Sequence, residues 1–535
     1  MPLTFPENGV IRLYNQFPRR YRGGLQAMCD DLPRIAALGF NVVWINPIQL
    51  TGDRLKPLNR EETSWGKGSL YAMAHDEQFN PDFFPEGNTA KQIELLKSYV
   101  QKAKELGLIP IFDLVLNHVG RGQNNQTHLE QKFNKFLRSD NNNDRWPDTA
   151  YFNYETAENR EYLIKNLWEP LIRAYIETYG FMGVRVDAIT NVHPDLQKSV
   201  YAIIRECCNR AHRTPPIIVG ELMSMDPLED INTLAPLGFS HIFACGVFYN
   251  NFFHGFPDEN HWLTQQTLGL QKIIWHSTEK TSESNQQGMG GVVAFVGNHD
   301  VGTHKATTLY HANMLQKDGR IIKFRERDNR ALKTVKYMNV EEFEFSNQIN
   351  FMEKLQERIF RIAFSGNAGW YLLAGDEFEI PHRPHVFDYY KEKMPIEDIR
   401  TKQDSTILEK TIIQINIVLS QMPQTSLGDK ATHQSIEVQG KKIPIIIHAS
   451  NRDRSTRVIC LNLDFSLDAN LIARTLYSNI PDNPESPLSK IFILGHHLLI
   501  VQKQEFTCRL NIQKDQNNTT DSASTSGNLI AAFRH

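Results

Sequence analysis

The sequence predicts a (β/α)8 barrel of the TIM type with a C-terminal all-β sandwich domain, on three observations. From residue 11 onward eight short apolar, β-rich runs alternate with longer helical patterns, as βαβ units around a parallel sheet require. No G-x-G-x-x-G follows the first of them, which weighs against the alternative of a doubly wound open sheet. Past residue 423 the texture changes to short alternating runs such as KIPIIIHAS, TRVICLNLDF and KIFILGHHLLIVQ, the pattern of a small sandwich.

The first strand is IRLYNQF (residues 11–17), followed by a helix through LQAMCDDLPRIAALG, whose glycine can cap it. NVVWINPI (41–48) is the second strand and IPIFDLVLNH (109–118) the third, after the helical stretch TAKQIELLKSYVQKAKELG. Residues 183–187 form the fourth, PIIVGEL (216–222) the fifth and SHIFACG (240–246) the sixth. VVAFVGNHD (292–300) and WYLLAGDEF (370–378) complete the set. This divides the chain into a barrel over residues 1–422, a β-sandwich over 423–510 and a disordered polar tail over 511–535. Two stretches interrupt the barrel: an asparagine-rich excursion (119–156) after the third strand and an insertion (304–346) after the seventh. The insertion holds nine Lys/Arg against three Asp/Glu between Lys305 and Lys336, a solvated face or a lid.

Composition narrows the function. Fifty-eight basic and sixty-one acidic residues leave a net charge of −3, with neither a nucleic-acid footprint nor an acidic tail, so an uncharged partner is expected. Six scattered cysteines form no C-x-x-C pair, read as reduced core residues in a cytoplasmic-type compartment. No apolar window has the length of a membrane span, and the N-terminus lacks the pattern of a Sec-type signal.

The chemistry is sought where barrel strands end. GVRVDAIT (183–190) places Arg185 and Asp187 two residues apart, on one face of a strand, where the guanidinium would hold the aspartate ionised. A structural ion pair at a strand end is the plainer reading of that pair alone. Neighbouring strands end in Asp113, Asn117 and His118, in Glu221, and in His299 and Asp300. Carboxylates in unlike environments are the apparatus of glycoside hydrolysis. Asp187 would be the ionised member, and Glu221, after the apolar run PIIVG, a general acid raised by desolvation to about 6. Asp300 would hold sugar hydroxyls. No H-x-x-x-H or H-E-x-x-H spacing supports metal chemistry, and no cofactor is expected.

DLVLNH (113–118), GVRVDA (183–188), GE (220–221) and FVGNHD (295–300) resemble, in order, the four signature segments of the α-amylase family, glycoside hydrolase family 13. That resemblance implies a retaining α-glucan-active enzyme with Asp187 as nucleophile, Glu221 as acid/base and Asp300 as transition-state stabiliser. It also implies sugar contacts from Arg185, His118 and His299, and a stacking tyrosine at Tyr71. SWGKGSLYAMAHDEQFNP (64–81) and the stretch 221–243 look most like the glucan:maltose-1-phosphate maltosyltransferase branch. The chain departs from the family where Thr190 and Asn191 replace the usual Lys-His. Of the family's calcium donors only Asn117 is plainly present, with Asp140, Asp144 and Asp148 the aspartates nearby, so no calcium requirement is expected. The expected partner is an α-glucan or maltooligosaccharide, acted on by hydrolysis or, alternatively, by transfer. A rival reading is a non-catalytic amylase-like interaction domain, in which catalytic acids would typically be lost.

Overall fold

The computed structural model describes residues 10–53, 69–84, 88–122, 125–139, 148–223, 233–243, 291–295, 297–299, 351–364, 369–380, 395–400 and 407–421, besides strands and isolated residues elsewhere. Eight parallel strands close into a barrel: β1 (Ile11–Gln16), β2 (Val42–Ile45), β3 (Ile109–Leu114), β6 (Gly183–Val186), β7 (Ile217–Glu221), β8 (His241–Phe243), β9 (Gly291–Phe295) and β13 (Gly369–Leu373). All eight expected runs are present, each buried almost throughout. That is why they read as continuous apolar stretches. The ring shuts between β1 and β13, with Ile11 opposite Gly369. Gly369 has φ +125, and a Cβ there would lie 1.8 Å from the Ile11 carbonyl oxygen, so only glycine permits this approach.

Helices α1 (Gly24–Ala37), α2 (Thr89–Glu105) and α6 (Pro194–His212) pack outside the ring. Gly39 ends α1 as expected, in the left-handed region, with its N–H on the Ala36 carbonyl. Between β6 and the excursion, α4 (Ala157–Leu163) and α5 (Glu169–Arg173) are joined by a π-helical turn, with a second such turn after α5. One partly buried cation ties the first helix to the barrel. Arg34 of α1 reaches Asp31 at 2.8 Å, Glu377 at 2.8 Å and Glu409 at 3.7 Å.

The excursion is more ordered than its composition suggests. β4 (His118–Gly120) pairs antiparallel with β5 (Thr149–Tyr151), and between them α3 (His128–Lys132) opens on a capping box of Thr127 and Glu130. Of the basic insertion, β10 (Leu315–Lys317), β11 (Arg320–Ile321) and β12 (Glu344–Phe345) form a small antiparallel sheet. The rest of that insertion lies outside the described residues. The C-terminal part contributes two three-stranded antiparallel sheets: β14 (Lys430–Val438), β15 (Lys441–Ala449) and β16 (Thr456–Cys460), then β17 (Ser489–Leu494), β18 (His497–Gln504) and β19 (Thr507–Ile512). The last strand enters the stretch read as tail by two residues, and residues 513–535 lie outside the described residues.

Candidate active site

Arg185 is the centre of the barrel mouth. Parallel register sets Asp113 of β3 beside Arg185 and Val186 beside Gly220, so the ends of β3, β6 and β7 converge. The guanidinium donates through one terminal nitrogen to Asp113 Oδ1 at 2.9 Å and to Asp187 Oδ1 at 2.7 Å. Its other terminal nitrogen meets Glu221 Oε1 at 2.7 Å. The expected Arg185–Asp187 pair is therefore a four-membered cluster, one cation among three carboxylates. Burial works against the Arg185 charge, but Asp113 and Glu221 outweigh it and hold the guanidinium above its ordinary value. Trp44 and Tyr71 cover it, their ring centroids 5.0 and 5.5 Å from its central carbon.

The surroundings of Glu221 are more polar than the apolar run before it suggested. The side chain is buried, as the apolar run suggested, yet it is not simply desolvated. Arg185 donates to one oxygen and the Ala188 N–H to the other, at 3.0 Å, while the Cys245 thiol stands 3.7 Å from Oε1. Donors of this kind favour the ionised form and oppose desolvation. Three carboxylates about one guanidinium carry excess negative charge, which favours a proton within the cluster. Ala188 makes this contact from an uncommon backbone conformation, φ 41 and ψ 53, just past the candidate nucleophile.

Asp113 lies beneath the site. Besides Arg185 it accepts from Trp44 Nε1 at 3.1 Å and from the Tyr71 hydroxyl at 3.1 Å. Burial pushes its carboxyl up to about 6, against the pull of Arg185. Tyr71 also accepts from Asn46 Nδ2 at 2.7 Å, and Asn15 donates to Asn46 in turn, so a buried chain of polar groups fixes the tyrosine. Its ring stacks on His299 at 5.2 Å and 10°. His118, buried, has its ring edge-to-face with Tyr151, and burial holds its imidazole down to about 4, hence neutral.

Seven of the eight expected site residues thus surround one mouth: Tyr71, Asp113, His118, Arg185, Asp187, Glu221 and His299. Asp300 lies outside the described residues. Trp44, Asn46 and Asn15 were not singled out by the sequence reading. For Trp44 and Asn46 the signal was present in NVVWIN, where period-2 alternation puts both on one face at the second strand.

No family model matches the chain. Over 165 residues it is 29% identical to 1,4-alpha-glucan-branching enzyme 2-2 of Arabidopsis thaliana, covering 30% of this chain and 18% of that one. Over 209 residues it is 25% identical to a malto-oligosyltrehalose trehalohydrolase of Saccharolobus solfataricus, covering 38% and 31%. The matched stretches span less than a third of those relatives' lengths. Among solved structures it is similar to an α-amylase from Lactobacillus plantarum, with TM-score 0.52, 18% identity, and 83% of this chain and 86% of that chain covered. The fold is that of the α-amylases, and the resemblance to glycoside hydrolase family 13 read from four motifs holds in architecture and in sequence relatives. These relatives do not single out the maltosyltransferase branch.

Proposed function

We propose that the chain is a retaining α-glucan-active enzyme that cleaves α-1,4-glucosidic bonds by double displacement. The supporting observation is the sharing of Arg185 between Asp187 and Glu221, carboxylates from adjacent strand ends. Asp187, the more accessible of the two, attacks the anomeric carbon as a carboxylate. Glu221 gives a proton to the departing glycosidic oxygen and then takes one from the incoming acceptor as the glycosyl–Asp187 ester breaks. The proton held among three carboxylates and one guanidinium supplies that acid. Tyr71 is braced by Asn46 and His299 and takes its place against the sugar by resemblance, and Arg185 fixes Asp187 in line. Asp300 completes the set as transition-state stabiliser, by resemblance. The catalytic acids Asp187 and Glu221 are kept, which speaks against the non-catalytic reading.

Water is proposed as the main acceptor. Transfer to a sugar hydroxyl is the second reading, favoured by relatives named as branching enzymes. Incubation with glycogen and with maltoheptaose, with and without phosphate or maltose 1-phosphate, separates them by the products seen on chromatography. Hydrolysis yields shorter maltooligosaccharides whose reducing ends increase in number. Phosphate-dependent release of maltose 1-phosphate, or products longer than the donor without new reducing ends, would overturn hydrolysis.

A further inference from the structure

Away from the acids, the segment after β2 meets the excursion at a cluster for which sequence spacing gave no sign. His75 and Asp76 come from the stretch that carries Tyr71, and His128 is the first residue of α3. One ring nitrogen from each histidine and a carboxylate oxygen of Asp76 all lie within 4.8 Å of one another. We propose that His75, Asp76 and His128 form a binding site for a divalent first-row metal ion of the zinc type, which clamps the excursion to the Tyr71 segment.

Distances support an ion in preference to hydrogen bonds. Asp76 Oδ1 stands 3.4 Å from His75 Nδ1 and 3.5 Å from His128 Nε2. Both are longer than a sound N–H···O bond. Two ligands each about 2.1 Å from a tetrahedral zinc ion stand about 3.4 Å apart, so both distances match edges of such a tetrahedron. Oδ1 is buried and accepts no hydrogen bond among the described residues, a cost that an ion would remove. The two imidazole rings stack at 4.1 Å and 13°, so one of them turns out of the stack for both nitrogen lone pairs to meet at one ion.

The surroundings fit as well. Lys132 donates to Asp76 Oδ2 at 2.6 Å, which orients the carboxylate and leaves Oδ1 as a single ligand atom, an outer hydrogen bond of the sort metal carboxylates keep. Nδ1 of His75 accepts a 3.1 Å bond from the exposed Glu77 N–H; a metal there would return that N–H to water. The two segments are already held together by Gly120 N–H on the Met73 carbonyl at 2.7 Å and Leu129 N–H on the Ala74 carbonyl at 3.1 Å. The two segments that carry the ligands are thus already held side by side. Two imidazoles and one carboxylate select zinc or a neighbour over calcium or magnesium, and leave a fourth position for water.

The test uses the full chain, dialysed against EDTA and then freed of it, titrated with ZnCl2 in a calorimeter, with Co2+ absorption as a spectroscopic check on the ligand set. The wild type is expected to bind one zinc ion saturably. His128→Ala, at a half-exposed position, and the isosteric Asp76→Asn are each expected to lose that binding while circular dichroism shows them folded. Should one variant fail to fold, the other decides. A wild type that binds no zinc, or a folded variant that binds as the wild type does, overturns the site.

Discussion

At the scale of single residues, the site turns on where protons rest. Asp187→Asn should abolish turnover of maltoheptaose, and Glu221→Gln should lower it by roughly 10²- to 10⁴-fold, the usual worth of general acid–base catalysis. Unchanged circular dichroism would show that both variants fold, and wild-type rates in either would dismiss the roles assigned here. His118 offers a second reading of protonation. Burial depresses its folded pKa to about 4, below the ordinary value of about 6.5. Above pH 6.5 neither state binds the proton; between 6.5 and 4 only the unfolded chain does, so stability is lost as pH falls through that window. The full loss is about 3 kcal/mol. Asp113, raised by burial, acts in the opposite sense, gaining stability as pH falls toward its unfolded value. The His118 contribution is therefore isolated by difference. The stability advantage of the wild type over His118→Gln, measured by urea denaturation, should shrink as the buffer moves from pH 7 to pH 4.

At the scale of elements, the barrel strands were legible because burial on both faces leaves an apolar run with little alternation. Their C-terminal ends were less so. The third run was read through His118, yet β3 stops at Leu114, and His118 begins a separate strand paired with β5. Val115 and Leu116 are apolar and buried outside any strand, so composition could not mark the end. Ring closure gives a test. Gly369→Ala would force a Cβ against the Ile11 carbonyl at a φ that L-residues avoid, and should cost about 2–4 kcal/mol in urea denaturation. Arg34→Ala would leave the buried Asp31 and Glu377 without their shared cation, with a loss of about 3–5 kcal/mol. A Gly369→Ala protein as stable as the wild type would mean that β1 and β13 have room to part.

At the scale of the whole molecule, what a sequence shows depends on whether partners lie on adjacent strand ends or in distant loops. Arg185 and Asp187 were legible as a pair since two residues separate them, and Glu221 and His299 because barrel topology sends strand ends to one mouth. The sharing of Arg185 among three acids was not legible, because it depends on register between β3, β6 and β7. The meeting of His75 and Asp76 with His128 depends on how the excursion folds back, which no spacing rule records. The same geography separates two metal responses. Calcium wants six to eight oxygens at about 2.3–2.6 Å. Asn117, the donor implied by resemblance, has its amide nitrogen 3.3 Å from His118 Nδ1 and its backbone carbonyl on the Phe152 N–H. Asp148 is buried with its carbonyl on the Arg121 N–H, and Asp140 and Asp144 lie outside the described residues. The histidine-lined cluster presents nitrogen, which calcium disfavours. After EDTA dialysis, added CaCl2 should leave the thermal midpoint and the rate on glycogen unchanged. ZnCl2 at 100-fold excess over its dissociation constant should stabilise by about 2.7 kcal/mol through mass action, a rise of about 2–5 °C. A midpoint that falls on dialysis and returns with calcium alone would refute both the calcium independence and the preference of the clamp for zinc.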